Sequence, residues 1–132
     1  MPHQLKSLTA NLVVSDVARS LVFYRDVLGF SVTATVPPEG GELVFAWVQS
    51  GDVSVMLNSR AAAAAEYPAF SDRPVGGTLT LFISVTGIRD AWAALEGRVK
   101  VVMPLEVKWY GMTEFAFEDP DGYTITFAER ES

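Results

Sequence analysis

An internal repeat is the feature that most restricts how this chain can fold. Each half of the sequence runs strand, helix, strand, strand, strand, with turn signals between the runs. Val53-x-Val55-x-Leu57 matches Tyr123-x-Ile125-x-Phe127 at an offset of 70, and Phe45-Ala46-Trp47 matches Phe115-Ala116-Phe117 at the same offset. Val14 matches Val85, and Val17 matches Ile88, at an offset of 71. Identity between the halves is weak, so the order of elements carries the prediction of an α+β chain built from two tandem βαβββ modules.

The element boundaries follow from apolar periodicity and from capping and turn residues. The predicted strands are 8–14, 30–36, 43–49 and 53–58 around a helix over 17–28, then 78–85, 99–104, 114–118 and 123–128 around a helical stripe of Ile88, Ala91, Trp92 and Leu95. Asp16 is an N-cap signal and Gly29 stands where a left-handed C-cap is expected. Asp119-Pro120-Asp121-Gly122 predicts a hairpin turn, in preference to a catalytic carboxylate pair.

Size and composition favour a single domain. The chain has 132 residues, of which 49% are hydrophobic, and its mean hydropathy is +0.23. That is enough for one packed core, whereas a half of about 60 residues is marginal for independent folding. We therefore expect one domain over 1–132, with module one at about 5–58, a connector at 59–77 and module two at about 78–129. The connector is predicted to be a surface segment with at most one helical turn.

Charge and residue counts exclude several classes of function. The net charge of −6 argues against nucleic acid as a partner and suits a cationic small molecule. The chain contains no cysteine and one histidine, which removes disulfides and thiolate chemistry and disfavours a histidine-based metal site. No apolar run reaches the roughly 18–20 residues of a membrane span. Residues 1–10 contain no signal-peptide core, so we expect no membrane partner and a cytoplasmic location.

Two signature segments carry a resemblance to a known family. Val14-x-Asp16, followed by Ser20-Leu21-x-Phe23-Tyr24-Arg25-Asp26-Val27-Leu28-Gly29-Phe30, resembles the first-module signature of the vicinal oxygen chelate superfamily, which includes glyoxalases, bleomycin-resistance proteins and dioxygenases. Phe115-Ala116-Phe117-x-Asp119-Pro120-Asp121-Gly122 resembles the C-terminal signature, and Tyr110-Gly111-Met112 stands where many members have Trp-Gly-Met. The resemblance covers about residues 5–129. It implies paired βαβββ modules whose sheets form a concave, ligand-holding cleft, usually in a homodimer.

The positions that hold metal ligands in metal-dependent members of that family are occupied differently in this chain. The resemblance and the repeat place them at Thr9, Met56, Thr80 and Thr126. Hydroxyl and thioether groups bind Zn²⁺, Fe²⁺ or Mn²⁺ far more weakly than imidazole, carboxylate or thiolate groups do. We therefore expect no metal and no cofactor. The chain is closest in kind to the metal-free, bleomycin-resistance-like binding members.

Strand alternation predicts what lines the cleft instead. In each strand one set of side chains is apolar and suits packing under the helices, while the other set is small, hydroxyl-bearing and occasionally apolar. The predicted ligand-binding residues are Thr9, Asn11, Phe45, Trp47, Met56, Thr80, Phe82, Ser84, Trp109, Tyr110, Thr124 and Thr126. A solvated sheet face is the alternative for this second set. Core packing is the preferred role for Phe45, Phe115 and Phe117, and Trp109 and Tyr110 suit either ligand stacking or a dimer contact.

Three functions remain open at this point. The leading hypothesis is metal-free binding of a small molecule, such as sequestration of a cationic or aromatic antibiotic that confers drug resistance. The second is a glyoxalase-like or dioxygenase-like enzyme with non-standard site residues, or a metal-free one that uses Glu114, Glu118 or Tyr110 as acid or base. The third is a subunit with a regulatory role.

Overall fold

The computed structural model describes residues 3–132 and contains two four-stranded sheets with the helices packed against them. The strands are β1 (Ala10–Val14), β2 (Ser31–Val36), β3 (Phe45–Ser50), β4 (Val53–Ser59), β5 (Thr80–Ser84), β6 (Lys100–Val107), β7 (Met112–Glu118) and β8 (Thr124–Arg130). The helices are α1 (Val17–Val22), α2 (Arg60–Glu66) and α3 (Ile88–Leu95). This order confirms the two tandem βαβββ modules.

The two sheets have equivalent topologies. Their strand orders are β1-β4-β3-β2 and β5-β8-β7-β6, and within each sheet the first and last strands of the module run parallel. Asn11 pairs with Met56 in the first sheet, and Phe82 pairs with Thr126 in the second. These pairs occupy equivalent positions in the two modules. They confirm the offsets of 71 and 70 for the outer strands of the repeat.

Strands β3 and β7 follow a different offset from the one expected. Met56 lies beside Trp47, whereas its equivalent, Thr126, lies beside Ala116, which is 69 positions after Trp47. The matched Phe-Ala-Trp and Phe-Ala-Phe segments are therefore displaced by one residue. A displacement of one residue reverses the sheet face. Phe115 and Phe117 are fully buried under the helices, as expected, but Phe45 lies on the opposite, polar face, so its preferred assignment to the core was wrong.

The first helical segment, α1 with the π-helical turn after it, begins and ends at the residues that the sequence indicates. The Asp16 side chain accepts a 3.1 Å hydrogen bond from the Arg19 backbone N–H, as an N-cap residue does. The helix continues as a π-helical turn over Phe23–Val27, and Gly29 follows it with φ +83°. Only glycine adopts that conformation without strain, so the C-cap prediction is confirmed.

One apolar core joins the two modules. It contains Leu12, Val14, Val17, Leu21, Tyr24, Val48, Leu57, Ile88, Leu95, Phe115, Phe117 and Ile125, which come from the helices and from the helix-facing side of both sheets. The ring of Phe23 lies 6.4 Å from that of Phe117 between centroids. The helix-facing sides of the two sheets therefore contribute to the same core.

Polar contacts between the modules lie at the start of α1. The buried carboxylate of Asp121, in the β7–β8 turn, accepts hydrogen bonds from Ser15 N and Oγ, and it pairs with Arg19 at 3.3 Å. Tyr123 Oη donates to the Val13 carbonyl at 2.7 Å. The predicted hairpin turn is confirmed, and its acidic residues bind the other module.

The connector is more ordered than expected. It contains the two-turn helix α2, capped by Ser59, and a 3₁₀ turn over Pro68–Phe70, where at most one helical turn was expected. Five consecutive alanines over 61–65 have the highest helix propensity of any residue, which accounts for the extra turn. No helix within residues 3–132 has both the length and the apolar character that crossing a membrane requires.

Candidate functional site

The polar face of the first sheet carries four of the predicted residues. Asn11 on β1, Met56 on β4 and Trp47 on β3 are neighbours across the strands, and Phe45 follows on the same face. Trp47 Nε1 donates to Ser54 Oγ at 2.5 Å, which fixes the plane of the indole ring. Thr9 lies one residue before β1.

The polar face of the second sheet carries five more. Thr80, Phe82 and Ser84 alternate along β5 on the same side as Thr124 and Thr126 of β8. The hydroxyl oxygens of Thr80 and Thr126 are 2.6 Å apart and form a hydrogen bond. Phe82 is 54% exposed, a high value for a large aromatic side chain. The alternation of side chains along these strands thus separates an apolar helix-facing set from a polar set, as expected.

A single chain does not bring the predicted residues into one cleft. The two sheets are separate and do not form a closed barrel. Thr80, Phe82 and Ser84 line one cavity, and Asn11 lines a second. Ser54, on the same face of β4 as Met56, lines the first of these cavities together with Thr80, Phe82 and Ser84.

The residues at the family's metal positions do not fit a divalent transition metal. Thr80 and Thr126 are hydrogen-bonded to each other, and Met56 lies between Asn11 and Trp47. Neutral oxygen and thioether groups are poor donors for such an ion. Within residues 3–132, no group of three or more histidine, aspartate or glutamate side chains is placed to hold a metal ion.

The larger cavity, which we call the β5 cavity, has a volume of about 470 Å³ and runs along strand β5. Its lining residues are Leu8, Ala10, Asp52, Val53, Ser54, Val55, Thr80, Leu81, Phe82, Ile83 and Ser84. The volume lies in the range of small-molecule sites. Hydroxyl groups and one carboxylate, that of Asp52, interrupt the mostly apolar wall. The cavity can therefore hold an apolar or aromatic body and orient a polar or cationic group.

Trp109 and Tyr110 lie in the β6–β7 turn, away from the β5 cavity. The Trp109 side chain is 94% exposed, and its ring meets that of Tyr110 edge to face at 5.3 Å. Tyr110 Oη donates to Glu114 Oε2 at 2.7 Å, and this bond to a carboxylate raises the pKa of the Tyr110 hydroxyl. Glu114 is only 4% exposed on the polar side of β7. Its burial could not be predicted from its position between Thr113 and Phe115 alone.

The sequence reasoning missed several residues that build the cavities. Asp52 comes from the β3–β4 turn and was read only as a turn residue, and Leu8 was read only as part of a strand. Phe70 and Arg73 of the connector line the second cavity. Local sequence patterns do not indicate these contacts, because they join segments that are distant in the chain.

Comparison with known families gives one match that spans most of the chain. The family model described as the Glyoxalase/Bleomycin resistance protein/Dioxygenase superfamily matches residues 5–127. Mb0911c, an uncharacterized protein of Mycobacterium bovis, is 28% identical over 119 residues, which is 89% of this chain and 78% of that protein.

Solved structures show the same fold. A glyoxalase/bleomycin resistance protein/dioxygenase from Nocardioides is 17% identical with a TM-score of 0.79, covering 100% of this chain and 87% of its own. TnmS3, described as an antibiotic binding protein from Streptomyces sp. CB03234, is 21% identical with a TM-score of 0.73, covering 99% of this chain and 100% of its own. At these identities the likeness establishes the architecture only.

Proposed function

Because this chain belongs to the Glyoxalase/Bleomycin resistance protein/Dioxygenase superfamily, we propose that it binds a small organic molecule without a metal ion and holds it unchanged. The observation that carries the proposal is the Thr80–Thr126 hydroxyl pair, at 2.6 Å, where the metal-dependent members of the family place ligands. Hydroxyl groups orient a polar ligand by hydrogen bonding but do not hold a transition metal. The site thus keeps the capacity to bind and lacks the donor set for metal chemistry.

The β5 cavity supports a cationic, partly aromatic ligand. Asp52 supplies its one carboxylate, Phe82 an exposed ring, and Ser54 and Ser84 hydroxyl groups. The chain's net charge of −6 adds a general attraction for cations, which salt screens. The antibiotic-binding description of TnmS3, which shares this fold, is consistent with a drug as the ligand. We therefore propose sequestration of a cationic or aromatic antibiotic.

We further propose that the binding unit is a homodimer. Strands β1 and β5 each pair on one side only, and an unpaired edge favours association. The exposed apolar residues Leu8 and Phe82 lie beside these edges and line the β5 cavity, which a second copy would close. A partner would also bring a first-sheet polar face opposite a second-sheet polar face. The predicted residues would then share one cleft.

Titration of tryptophan fluorescence against glycopeptide and aromatic peptide antibiotics tests the proposal. We expect saturable binding whose affinity weakens with added salt. In Phe82→Ala the affinity should fall about tenfold or more, because a buried aromatic contact is worth on the order of 0.5–1.5 kcal/mol beyond its area. Asp52→Asn should weaken cationic ligands and leave neutral ones unchanged. Asp72→Asn, in the connector outside the β5 cavity, is the charge-matched control.

Comparison of Phe82→Ala with Trp109→Ala shows which of these two exposed aromatic side chains contacts the ligand. Trp109 lies outside the β5 cavity, so Trp109→Ala should retain the affinity of the parent protein unless a partner subunit brings it to the ligand. If no member of the panel binds, or if Phe82→Ala binds as tightly as the parent, the proposed site is wrong.

A second candidate function rests on the Glu114–Tyr110 pair. A buried carboxylate that accepts a phenol hydrogen bond at 2.7 Å has the parts of an acid–base couple. Incubation of the protein with any ligand found by titration, followed by mass spectrometry, distinguishes the candidates. An unchanged ligand supports sequestration. A product that Glu114→Gln no longer forms supports catalysis.

A further inference from the structure

Arg73, in the connector, is a cation without an acidic partner. Arg19, Arg25 and Arg89 each form an ion pair with a carboxylate. Across residues 3–132, the Arg73 guanidinium forms no ion pair and donates no hydrogen bond; its described contact is with the ring of Phe70, at 5.7 Å from the centroid. Its donors are therefore available to a group from outside the chain.

The chain segment that carries Arg73 is held in place by contacts with other parts of the fold. Arg60 Nη1 donates to the Phe70 carbonyl at 2.9 Å, and the rings of Tyr67 and Phe70 are 5.3 Å apart between centroids. Further along, Gly76 has φ +78°, and a Cβ at that position would lie 2.5 Å from the Asp121 carbonyl oxygen. The backbone is thus pressed against the β7–β8 turn. The backbone is therefore held on both sides of Arg73.

Phe70 and Arg73 face β1 across a cavity of about 350 Å³, which we call the connector cavity. Leu79, Val13 and Pro74 form apolar parts of its lining, and Leu79 is 48% exposed there. At about 30 Å³ per water molecule, this volume equals about twelve waters. It therefore suits a ligand of about ten non-hydrogen atoms with one apolar face.

Two polar side chains of the connector cavity, those of Asn11 and Arg73, can donate hydrogen bonds to a ligand. Asn58 Nδ2 donates to Asn11 Oδ1, which leaves the Asn11 amide nitrogen free to donate, since no described residue accepts from it. Asn11 and Arg73 line the same cavity. Tyr123 Oη, also in the lining, already donates to the Val13 carbonyl and can accept only. A guanidinium and an amide N–H are the donor set that a carboxylate needs.

We propose that the connector cavity binds a small aromatic carboxylate, with the acid group on Arg73 and Asn11 and the ring between Phe70 and Leu79. This site is separate from the β5 cavity. It prefers an anion, whereas the ligand proposed for the β5 cavity is a cation. A planar guanidinium recognises a carboxylate through two parallel hydrogen bonds, and a ring packed on apolar walls adds area at low entropic cost. The site goes beyond the proposed function and does not depend on it.

The carboxylate of Glu66 lies beside the connector cavity and opposes an anionic ligand. Glu66 lines a small recess that shares Asn11, Val13 and Phe70 with the cavity. Removing its charge should therefore strengthen the binding of an anion, and this gives a second variant with an effect of opposite sign.

Isothermal titration with phenylacetate, phenylacetamide and phenyl phosphate tests the proposal. We expect phenylacetate to bind at least tenfold more tightly than the neutral amide. Arg73→Gln should remove that preference, and Glu66→Gln should increase the affinity for phenylacetate. Arg130→Gln makes the same change of net charge at the far end of β8 from Tyr123, and it should bind as the parent protein does.

Several results would overturn the proposal. These are no saturable binding of phenylacetate at 10 mM, equal binding of acid and amide, an Arg130→Gln loss as large as that of Arg73→Gln, or tighter binding of phenyl phosphate than of phenylacetate. Sedimentation of Arg73→Gln provides a further check. If this variant dissociates a dimer of the parent protein, the connector cavity is a subunit interface and the assignment is wrong.

Discussion

The phenol of Tyr24, on the π-helical turn after α1, donates a 2.8 Å hydrogen bond to Asp119 Oδ2, in the β7–β8 turn of the other module. Both side chains are buried. The second oxygen of Asp119 accepts the backbone N–H groups of Asp121 and Tyr123, each at 2.9 Å. We call these bonds, with those of Asp121 to Ser15 and Arg19, the cross-module tie.

Replacing Tyr24 by Phe should destabilise the protein by about 1–3 kcal/mol, because the change leaves a buried carboxylate oxygen without its donor. Urea unfolding monitored by circular dichroism measures the free energy of unfolding. Tyr67→Phe is the control, since the Tyr67 hydroxyl makes no hydrogen bond within residues 3–132. Equal stability of the two variants would contradict the role of the tie.

Asp119 should make stability depend on pH. Burial raises the pKa of its carboxyl above the usual value of 3.8, although the hydrogen bonds from Tyr24 and the backbone act in the other direction. A raised folded-state pKa gives stability that is present below the unfolded pKa and is lost as pH rises through the folded pKa. Asp119→Asn lacks this loss and keeps an acceptor oxygen. The stability of the variant relative to the parent should therefore increase from pH 3.5 to pH 7.

Only the difference in free energy of unfolding between the parent protein and Asp119→Asn isolates the effect of Asp119 on pH dependence. Hydrogen bonds from Arg25 and Arg89 lower the pKa values of Asp26 and Glu131, whose contributions change in the opposite direction, being lost as pH falls. Denaturation curves of parent and variant at matched pH values cancel those terms. A difference that stays constant across the range would show that Asp119 titrates normally.

Gly76 should not tolerate a side chain. Its φ of +78° is strained for an L-residue, and an added Cβ would lie 2.5 Å from the Asp121 carbonyl oxygen. We expect Gly76→Ala to cost about 1–3 kcal/mol. Gly97→Ala is the matched control, because a Cβ there meets no atom within 4 Å and φ is not in the left-handed region. Equal melting temperatures of the two variants would contradict the close approach of residue 76 to the Asp121 carbonyl oxygen.

The purified protein should retain no stoichiometric transition metal. Thr9, Met56, Thr80 and Thr126 offer no imidazole or carboxylate at the family's metal positions. Elemental analysis after incubation with Zn²⁺, Mn²⁺ and Fe²⁺, followed by desalting, gives the metal content per chain. About one tightly held equivalent would require a site built from other residues and would favour the enzyme hypothesis.

The protein should sediment at twice its chain mass of 14.4 kDa at micromolar concentration. Phe82→Glu places a charge beside the β5 edge and should shift the population to monomer. Val22→Glu introduces the same charge on α1 at a position of similar exposure, and it should remain dimeric. A monomeric parent protein would contradict the proposed homodimer and would leave the β5 cavity open on one side.

The sequence predicts the order of elements and most side-chain faces, since these depend on local periodicity and capping. Asp16 and Gly29 indicate the ends of the first helical segment correctly, because the effect of each depends only on the backbone of nearby residues. The face of Phe45 was missed because a shift of one residue in register between β3 and β7 changes no local pattern.

Contacts between distant segments account for the rest of what was missed. Tyr24, the side chain that donates to Asp119, lies 95 positions earlier, and no residue near Asp119 in the sequence indicates that contact. The connector cavity depends on how Phe70 and Arg73 fold back over β1, which the alanine run does not specify. Binding sites formed between segments are therefore less predictable here than the segments themselves.

The cross-module tie makes the two halves non-interchangeable, although their topology is the same. Ser50-Gly51-Asp52, the turn of the first half, is shorter than the turn that carries Asp119 and Asp121, and its Asp52 lines the β5 cavity instead. If the chain descends from a duplicated gene, the two copies have since diverged. The first half now provides the side-chain donors of the cross-module tie, and the second half provides the acceptor carboxylates. A tandem of two first halves would reproduce the sheets and lose the polar contacts between them that Asp119 and Asp121 make.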